Sequence, residues 1–133
     1  MTLIDANVLL RFLTKAPPDM AEASRQLLKR GQQGTIDLLV VPLTLAEVFY
    51  VLHRFYKWDV GDIQQRLGAL ITSRAFQVEH EAAVLRALQT LANIDFEDAY
   101  LAARVASAGQ VATFDRDFDK LGVARLDPLE ASS

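Results

Sequence analysis

Four carboxylates, Asp5, Glu47, Asp98 and Asp115, each stand where an apolar, strand-like run passes into a helix. Asp5 follows Leu3-Ile4, Glu47 follows the run Leu38 to Val41, Asp98 opens a helical stretch, and Asp115 follows Val111 to Phe114. In open parallel α/β sheets, ligands bind in the crevice beyond the carboxyl ends of the strands, so acids spread over a chain can converge there. Anions crowded into one crevice need compensation. Two unit charges ~4 Å apart repel by about 4 kcal/mol at an effective dielectric of 20, so such a cluster takes up protons or a hard divalent cation. Carboxylates without Cys or clustered His suit Mg²⁺ or Mn²⁺.

Each acid also has an ordinary structural explanation. Thr44-Leu45-Ala46-Glu47 matches a capping box, in which Glu47 would satisfy a free amide at a helix start. Asp95 can cap the helix that contains Asp98, and an acid at Asp98 suits the positive end of the helix dipole. Asp98, however, shares a helical stripe with Leu101, Ala102 and Val105, which points it toward buried surface, where an unpaired carboxylate is costly. Asp5 and Asp115 could be turn residues, and Asp117 and Asp119 solvated charges. Four independent caps would not need to fall on one sheet edge, which favours the set over its members. Arg11, Lys15, Arg116 and Lys120 flank that edge and are candidate phosphate contacts. His53 and His80 are too far apart in pattern for a zinc pair. Neither a phosphate-binding P-loop nor a dinucleotide fingerprint is present.

The elements that must position these acids alternate. A short strand Thr2 to Ile4 leads to a helix capped by Asn7 and running to about Thr14, ended by Pro17-Pro18. A helix over 21–30 stops at Gly31. The run Leu38-Leu39-Val40-Val41 lacks alternation, as in a strand covered on both faces of a parallel sheet. Helices are expected over 45–56, 62–72 and 81–91, the last on the three-residue spacing of Ala82, Leu85, Leu88 and Leu91, with Asn93-Ile94 as its exit. Phe76 to Val78 reads as extended. A helix over 97–108, a strand over 111–114, a short turn and a strand near 123–126 complete the series. Strand and helix in alternation imply an α/β fold, a parallel sheet flanked by helices in three α/β/α layers.

With 133 residues, 51% of them hydrophobic, the chain suits one domain over 1–130, followed by a disordered tail at 131–133. The absence of Cys fits a reducing compartment. No stretch nears the ~20 apolar residues of a membrane span, and Met1-Thr2-Leu3-Ile4 has no secretory character, so a cytoplasmic protein without membrane contact is expected. The net charge of −3 argues against coating nucleic acid in bulk, but a metal would neutralise much of it locally.

Four short motifs, in this order and spacing, closely resemble the PIN-domain family, and within it the VapC-type toxins of prokaryotic toxin-antitoxin modules. They are Ile4 to Arg11, Thr44 to Val48, Asp95 to Ala103, and Thr113 to Phe118. The resemblance implies a Mg²⁺- or Mn²⁺-dependent endoribonuclease acting on RNA, with Asp5, Glu47, Asp98 and Asp115 as metal-binding acids. Asn7 and Thr113 are nearby polar positions, and Asp95 and Asp117 accessory acids. Ala6 departs from the Thr or Ser frequent in similar sequences. A toxin of this kind is expected to form a homodimer and to be held by a cognate antitoxin. The aromatic stretch Val48 to Trp58 offers a surface for such contacts, with Phe49, Tyr50, Phe55, Tyr56 and Trp58 as candidate anchors. The alternatives are a PIN-fold nuclease of RNA processing or DNA, and a non-cleaving acidic-pocket module that binds nucleic acid.

Overall fold

The computed structural model describes residues 1–91 and 94–131, the side chain of the last excepted. The chain divides into two compact units, Met1–Glu81 and Ala82–Ser133. The expected α/β class is the one observed: both units contain parallel strands connected through helical segments. Among the described residues, no helix is long and apolar enough to cross a membrane.

The first unit holds a three-stranded sheet in the order β1 (Thr2–Leu3), β2 (Leu38–Val40), β3 (Gln77–Val78). The register pairs Leu3 with Leu39 and Val40 with Val78. Leu38 and Val40 are buried and Leu39 half-buried, which explains a strand without polar alternation. Helices α1 (Ala6–Thr14), α2 (Pro18–Gln32), α3 (Pro42–Arg54) and α4 (Val60–Thr72) make the crossovers; α1 packs on α2 and α3, and α3 on α4. All four begin earlier than the sequence suggests; for α2 and α3 the reason is that Pro18 and Pro42 sit at N1, where a missing amide proton costs nothing and the fixed φ favours entry. Pro17-Pro18 thus both ends one helix and opens the next. Leu45, Val48, Phe49 and Leu52 bury one stripe of α3, and Ile63, Leu67, Leu70 and Ile71 one of α4.

Gly31 does not stop α2, which runs on to Gln32. Its role is close approach. A Cβ there would collide with the Ala75 carbonyl oxygen and come within 2.9 Å of Leu38 Cδ1, so only hydrogen lets α2 lie this near β2 and the entry to β3.

The second unit is built from α5 (Glu81–Gln89, whose first residue closes the first unit), α6 (Phe96–Ala108), β4 (Val111–Ala112), a 3₁₀ segment Arg116–Leu121, β5 (Arg125–Leu126) and α7 (Pro128–Ala131). Strands β4 and β5 are parallel, Val111 opposite Arg125. The buried stripe of α5 is Val84, Ala87 and Leu88; of the three-residue series, Leu88 and Leu91 are buried but Ala82 is exposed and Leu85 half-buried, because a helix turns every 3.6 residues and a strict three-residue spacing drifts across its face. Helix α7 takes Ala131 out of the expected tail; Ser132, Ser133 and Asn93 lie outside the described residues.

Candidate active site

In the first unit, β1 ends at Leu3, but the Ile4 amide still donates to the Leu39 carbonyl at 2.9 Å, which puts Asp5 just past the carboxyl end of the strand. Asp5, not Asn7, is the N-cap of α1. Its backbone is extended (φ −78°, ψ 154°) and its Oδ1 accepts from the Ala6 amide at 2.8 Å. Asn7 is the second helical residue and exposed.

Glu47 loses its structural explanation. Helix α3 is capped at Val41, so Thr44 lies inside the first turn, its amide donating to the Val41 carbonyl at 3.0 Å, and no capping box forms. Glu47 is left exposed on the second turn, without a hydrogen-bond or ion-pair partner among the described residues. Asp5 and Glu47 therefore both follow the carboxyl ends of adjacent parallel strands, β1 and β2. The Arg11 guanidinium donates to the Ala16 carbonyl at 3.4 Å, beyond the end of α1 opposite Asp5. Lys15 caps the far end of α1, about 15 Å along the axis from Asp5 at 1.5 Å per residue. It borders a different cavity of about 770 Å³, mainly apolar and also lined by Glu22, Arg25, Lys29 and Arg66. That cavity is the larger of the two discussed here, but its charges are mostly cationic and it lacks an acid cluster.

In the second unit, Asp95, Asp98, Asp115 and Asp117 line one cavity of about 220 Å³ with Ile94, Phe118 and Leu121. None of these lining residues is basic. Asp95 holds the N-cap position of α6 but its side chain accepts no capping bond, so the expected cap is made only by position. Asp98 is half-buried beside the true core stripe of α6, Phe96, Ala99 and Ala103; Leu101 is exposed and Ala102 and Val105 half-buried, so the stripe inferred from sequence marks the edge of the core. Burial and then the neighbouring charges of Asp95, Asp115, Glu97 and Asp117 push the Asp98 carboxyl above its ordinary range.

Asp115 lies three residues beyond β4, which ends at Ala112 rather than Phe114. It caps the 3₁₀ segment: its Oδ1 accepts from the Asp117 amide at 2.8 Å, while its own amide donates to Thr113 Oγ1 at 3.0 Å. Asp117 has Lys120 at 3.4 Å, an exposed pair that neutralises little. Arg116 is exposed. Within either unit, among the described residues, no three His, Asp or Glu side chains stand close enough to form a finished metal cage. The aspartates surround a space instead of meeting at a point. An all-carboxylate donor set fits a hard divalent cation.

Two residues of this region have structural roles that the sequence does not reveal. Phe118, buried, walls the acidic cavity, although in sequence it is one aromatic among surface acids. Arg125, on β5, is ion-paired to Asp119 and Asp127 and donates to the Thr113 carbonyl.

The aromatic stretch separates into two kinds. Phe49 is 5% exposed and stacks on His53 at 5.7 Å, so it belongs to the core and is unavailable to a partner. Helix α3 ends at Arg54, which places Phe55, Tyr56 and Trp58 beyond it. Trp58 is half-buried under the Arg66 guanidinium, 5.2 Å from the ring centroid. Phe55, Tyr50 and Tyr56 are 75%, 53% and 45% exposed.

The chain is 28% identical to a protein named VapC ribonuclease from Aquifex aeolicus (strain VF5), over 99% of this chain and all of that one. The PIN domain family model matches residues 2–124, a span that includes both pairs of strand-end acids. Parallel strands, helical crossovers, acids beyond the strand ends and a match over nearly the whole chain lead to one conclusion: the chain belongs to the PIN domain family.

Proposed function

We propose that this protein is an endoribonuclease that works with Mg²⁺ or Mn²⁺, and that it is the cytoplasmic toxin of a type II toxin-antitoxin pair. The observation that carries the reading is the aspartate-lined cavity, in which Asp98 is hindered from ionising and no lining residue supplies positive charge. The family match and the relative named as a ribonuclease support the choice of a nuclease acting on RNA.

The ligands we propose are Asp5, Glu47, Asp98 and Asp115, with Asp95 and Asp117 as accessory acids. A bound divalent ion would supply Lewis-acid polarisation of a phosphodiester and a more acidic water. The chain's own part is to hold the acids in place. Asp115 is fixed by its amide's bond to Thr113 Oγ1 and by its carboxylate's bond from the Asp117 amide, and Asp5 by its bond from the Ala6 amide at the start of α1. Phe118 and Leu121 form the apolar wall of the cavity, and the partial burial of Asp98 strengthens the charge interactions that reach its carboxylate. No side chain needs a pKa near neutrality under this scheme. Arg116, exposed beside Asp115, is the residue best placed to meet a substrate phosphate. Tyr50, Phe55 and Tyr56 are the surface offered to a second copy or to the antitoxin.

The decisive experiment is incubation of purified protein with an RNA panel, and with DNA of the same sequences, in Mg²⁺, Mn²⁺ or EDTA. Internal cuts in RNA should appear only with metal and vanish in Asp98→Asn. Cleavage indifferent to EDTA would sink the metal reading. Cleavage confined to DNA would move the substrate. Co-purification of an adjacent gene's product that suppresses cutting would support the toxin role, and loss of dimer in Phe55→Glu would support the proposed surface.

A further inference from the structure

We infer that Arg125 is a positioning residue for the acidic site: it clamps the loop that carries Asp115 and Asp117 and so sets where those carboxylates stand relative to Asp98. The inference rests on the nuclease reading for its consequence, but its geometry is independent of it.

Arg125 lies on β5, opposite Val111 of β4, and its side chain is only 13% exposed. From there the guanidinium reaches both ends of the segment Thr113–Asp119. Nη1 donates to the Thr113 carbonyl at 3.3 Å, where the chain leaves β4. Nε donates to Asp119 Oδ1 at 3.1 Å and Nη2 to Asp119 Oδ2 at 3.4 Å, inside the 3₁₀ segment. A third partner is Asp127: its Oδ2 lies 3.6 Å from Nη1, which ties the same group to the residue before α7, and its other carboxylate oxygen accepts from the Leu129 amide at 2.9 Å. Between the two clamped ends, the Thr113 hydroxyl accepts from Asp115 and the Asp115 carboxylate accepts from the Asp117 amide. One side chain therefore closes a ring around the segment that presents two of the four cavity aspartates.

The chemistry of the fork matters. A guanidinium is planar and can bond a carbonyl on one side while gripping a carboxylate on another; an ammonium is a point charge that cannot hold both in one geometry. The charge of Arg125 is also spent locally, since Asp119 and Asp127 together outnumber it, and Arg125 is not among the residues that line the cavity. Arg125 thus orders the acids without neutralising them, which keeps their charge available for a cation. Partners bonded directly to metal-binding groups cost about 10- to 100-fold in metal affinity when removed, and Arg125, acting one step away through Thr113 and Asp119, belongs at the lower end of that range.

The test is to measure Mn²⁺ binding calorimetrically, alongside RNA cleavage, in the full chain and in Arg125→Gln, Arg125→Lys and Asp119→Asn. Asp119 is exposed, so its variant removes one arm of the clamp even if Arg125→Gln does not fold. The expected result is at least about a tenfold weaker Mn²⁺ affinity in Arg125→Gln and a smaller loss in Asp119→Asn. Arg125→Lys should not restore it. Maximal cleavage at saturating metal should fall with little change in KM for RNA, and amides of 115–119 should exchange faster with solvent. Folded variants with wild-type Mn²⁺ affinity and unchanged exchange would overturn this inference alone. A wild-type chain that binds no Mn²⁺ and cuts no RNA would overturn the nuclease reading, and the positioning role with it.

Discussion

Two carboxylates near the starts of helices, Glu22 on α2 and Asp98 on α6, are moved in opposite directions by their neighbours. Glu22 grips the Arg25 guanidinium at 2.7 and 2.8 Å and accepts from Gln26 at 3.1 Å, and its pKa falls to about 2. Asp98 has burial and four other acids around it, and its pKa rises. Glu22 lines the large apolar cavity of the first unit and Asp98 the small acidic one of the second. Glu22 has its charge met by Arg25 and Gln26 within one helix and is left with nothing for a cation to compensate. Asp98 stands amid surplus negative charge, which a bound cation would relieve.

The sharpest way to break this contrast is to neutralise each acid. Asp98→Asn should lower RNA cleavage by at least about 100-fold, the scale of losing one electrostatic contact to the transition state, and the metal-free protein should melt no lower than wild type. Glu22→Gln should leave cleavage unchanged. Equal activities in the two variants, measured at matched Mg²⁺, would end the distinction.

Next in size is the effect of the cavity wall. Phe118→Leu should destabilise the fold by about 1 kcal/mol and admit water to the acids, bringing Asp98 back toward its ordinary pKa. Urea unfolding and NMR titration of the carboxyl carbons read the two effects separately. If Asp98 titrates unchanged, desolvation is not its main perturbation.

The pH dependence of stability follows from the directions of the shifts. A raised Asp98 pKa means that the folded state binds more protons than the unfolded one, so without metal this group lowers stability as pH rises from the unfolded value near ~3.9 through the folded pKa. Glu22 works the other way: its contribution is present above its ordinary 4.5 and is lost as pH falls toward about 2, and solvent around its half-exposed side chain keeps it small. Melts in EDTA between pH 3 and 7 should therefore show an Asp98-dependent decline that Mn²⁺ flattens and Asp98→Asn removes. A decline that persists in Asp98→Asn belongs to another group.

The smallest effect should come from Asp95→Asn. Asp95 is the first of the charges acting on Asp98, after burial, so its removal should lower the Asp98 pKa modestly and leave cleavage only partly reduced. A complete loss of cleavage would make Asp95 a principal ligand instead of an accessory one.

Much of this protein was determined by sequence at short range. The unbroken apolar run at Leu38, the alternation of strand and helix, and the placing of Asp5 and Asp115 just past strand ends all follow from local periodicity and capping chemistry, which a few neighbouring residues settle. The errors were local too where a proline or a turn admitted two readings: Pro18 and Pro42 open helices, and Thr44 lies too deep in α3 to form a box with Glu47. Only tertiary structure decided the rest. Gly31 reads as a helix stop until Ala75 and Leu38 are seen against it. Phe118 becomes a cavity wall, and Arg125 a clamp on a loop that begins 12 residues earlier, only when β4 and β5 pair. The surplus charge at Asp98 has the same origin. A carboxylate's type is written in the chain, and Asp95 and Glu97 stand beside Asp98 in sequence, but its ionisation also depends on burial and on Asp115 and Asp117, which only folding brings to it.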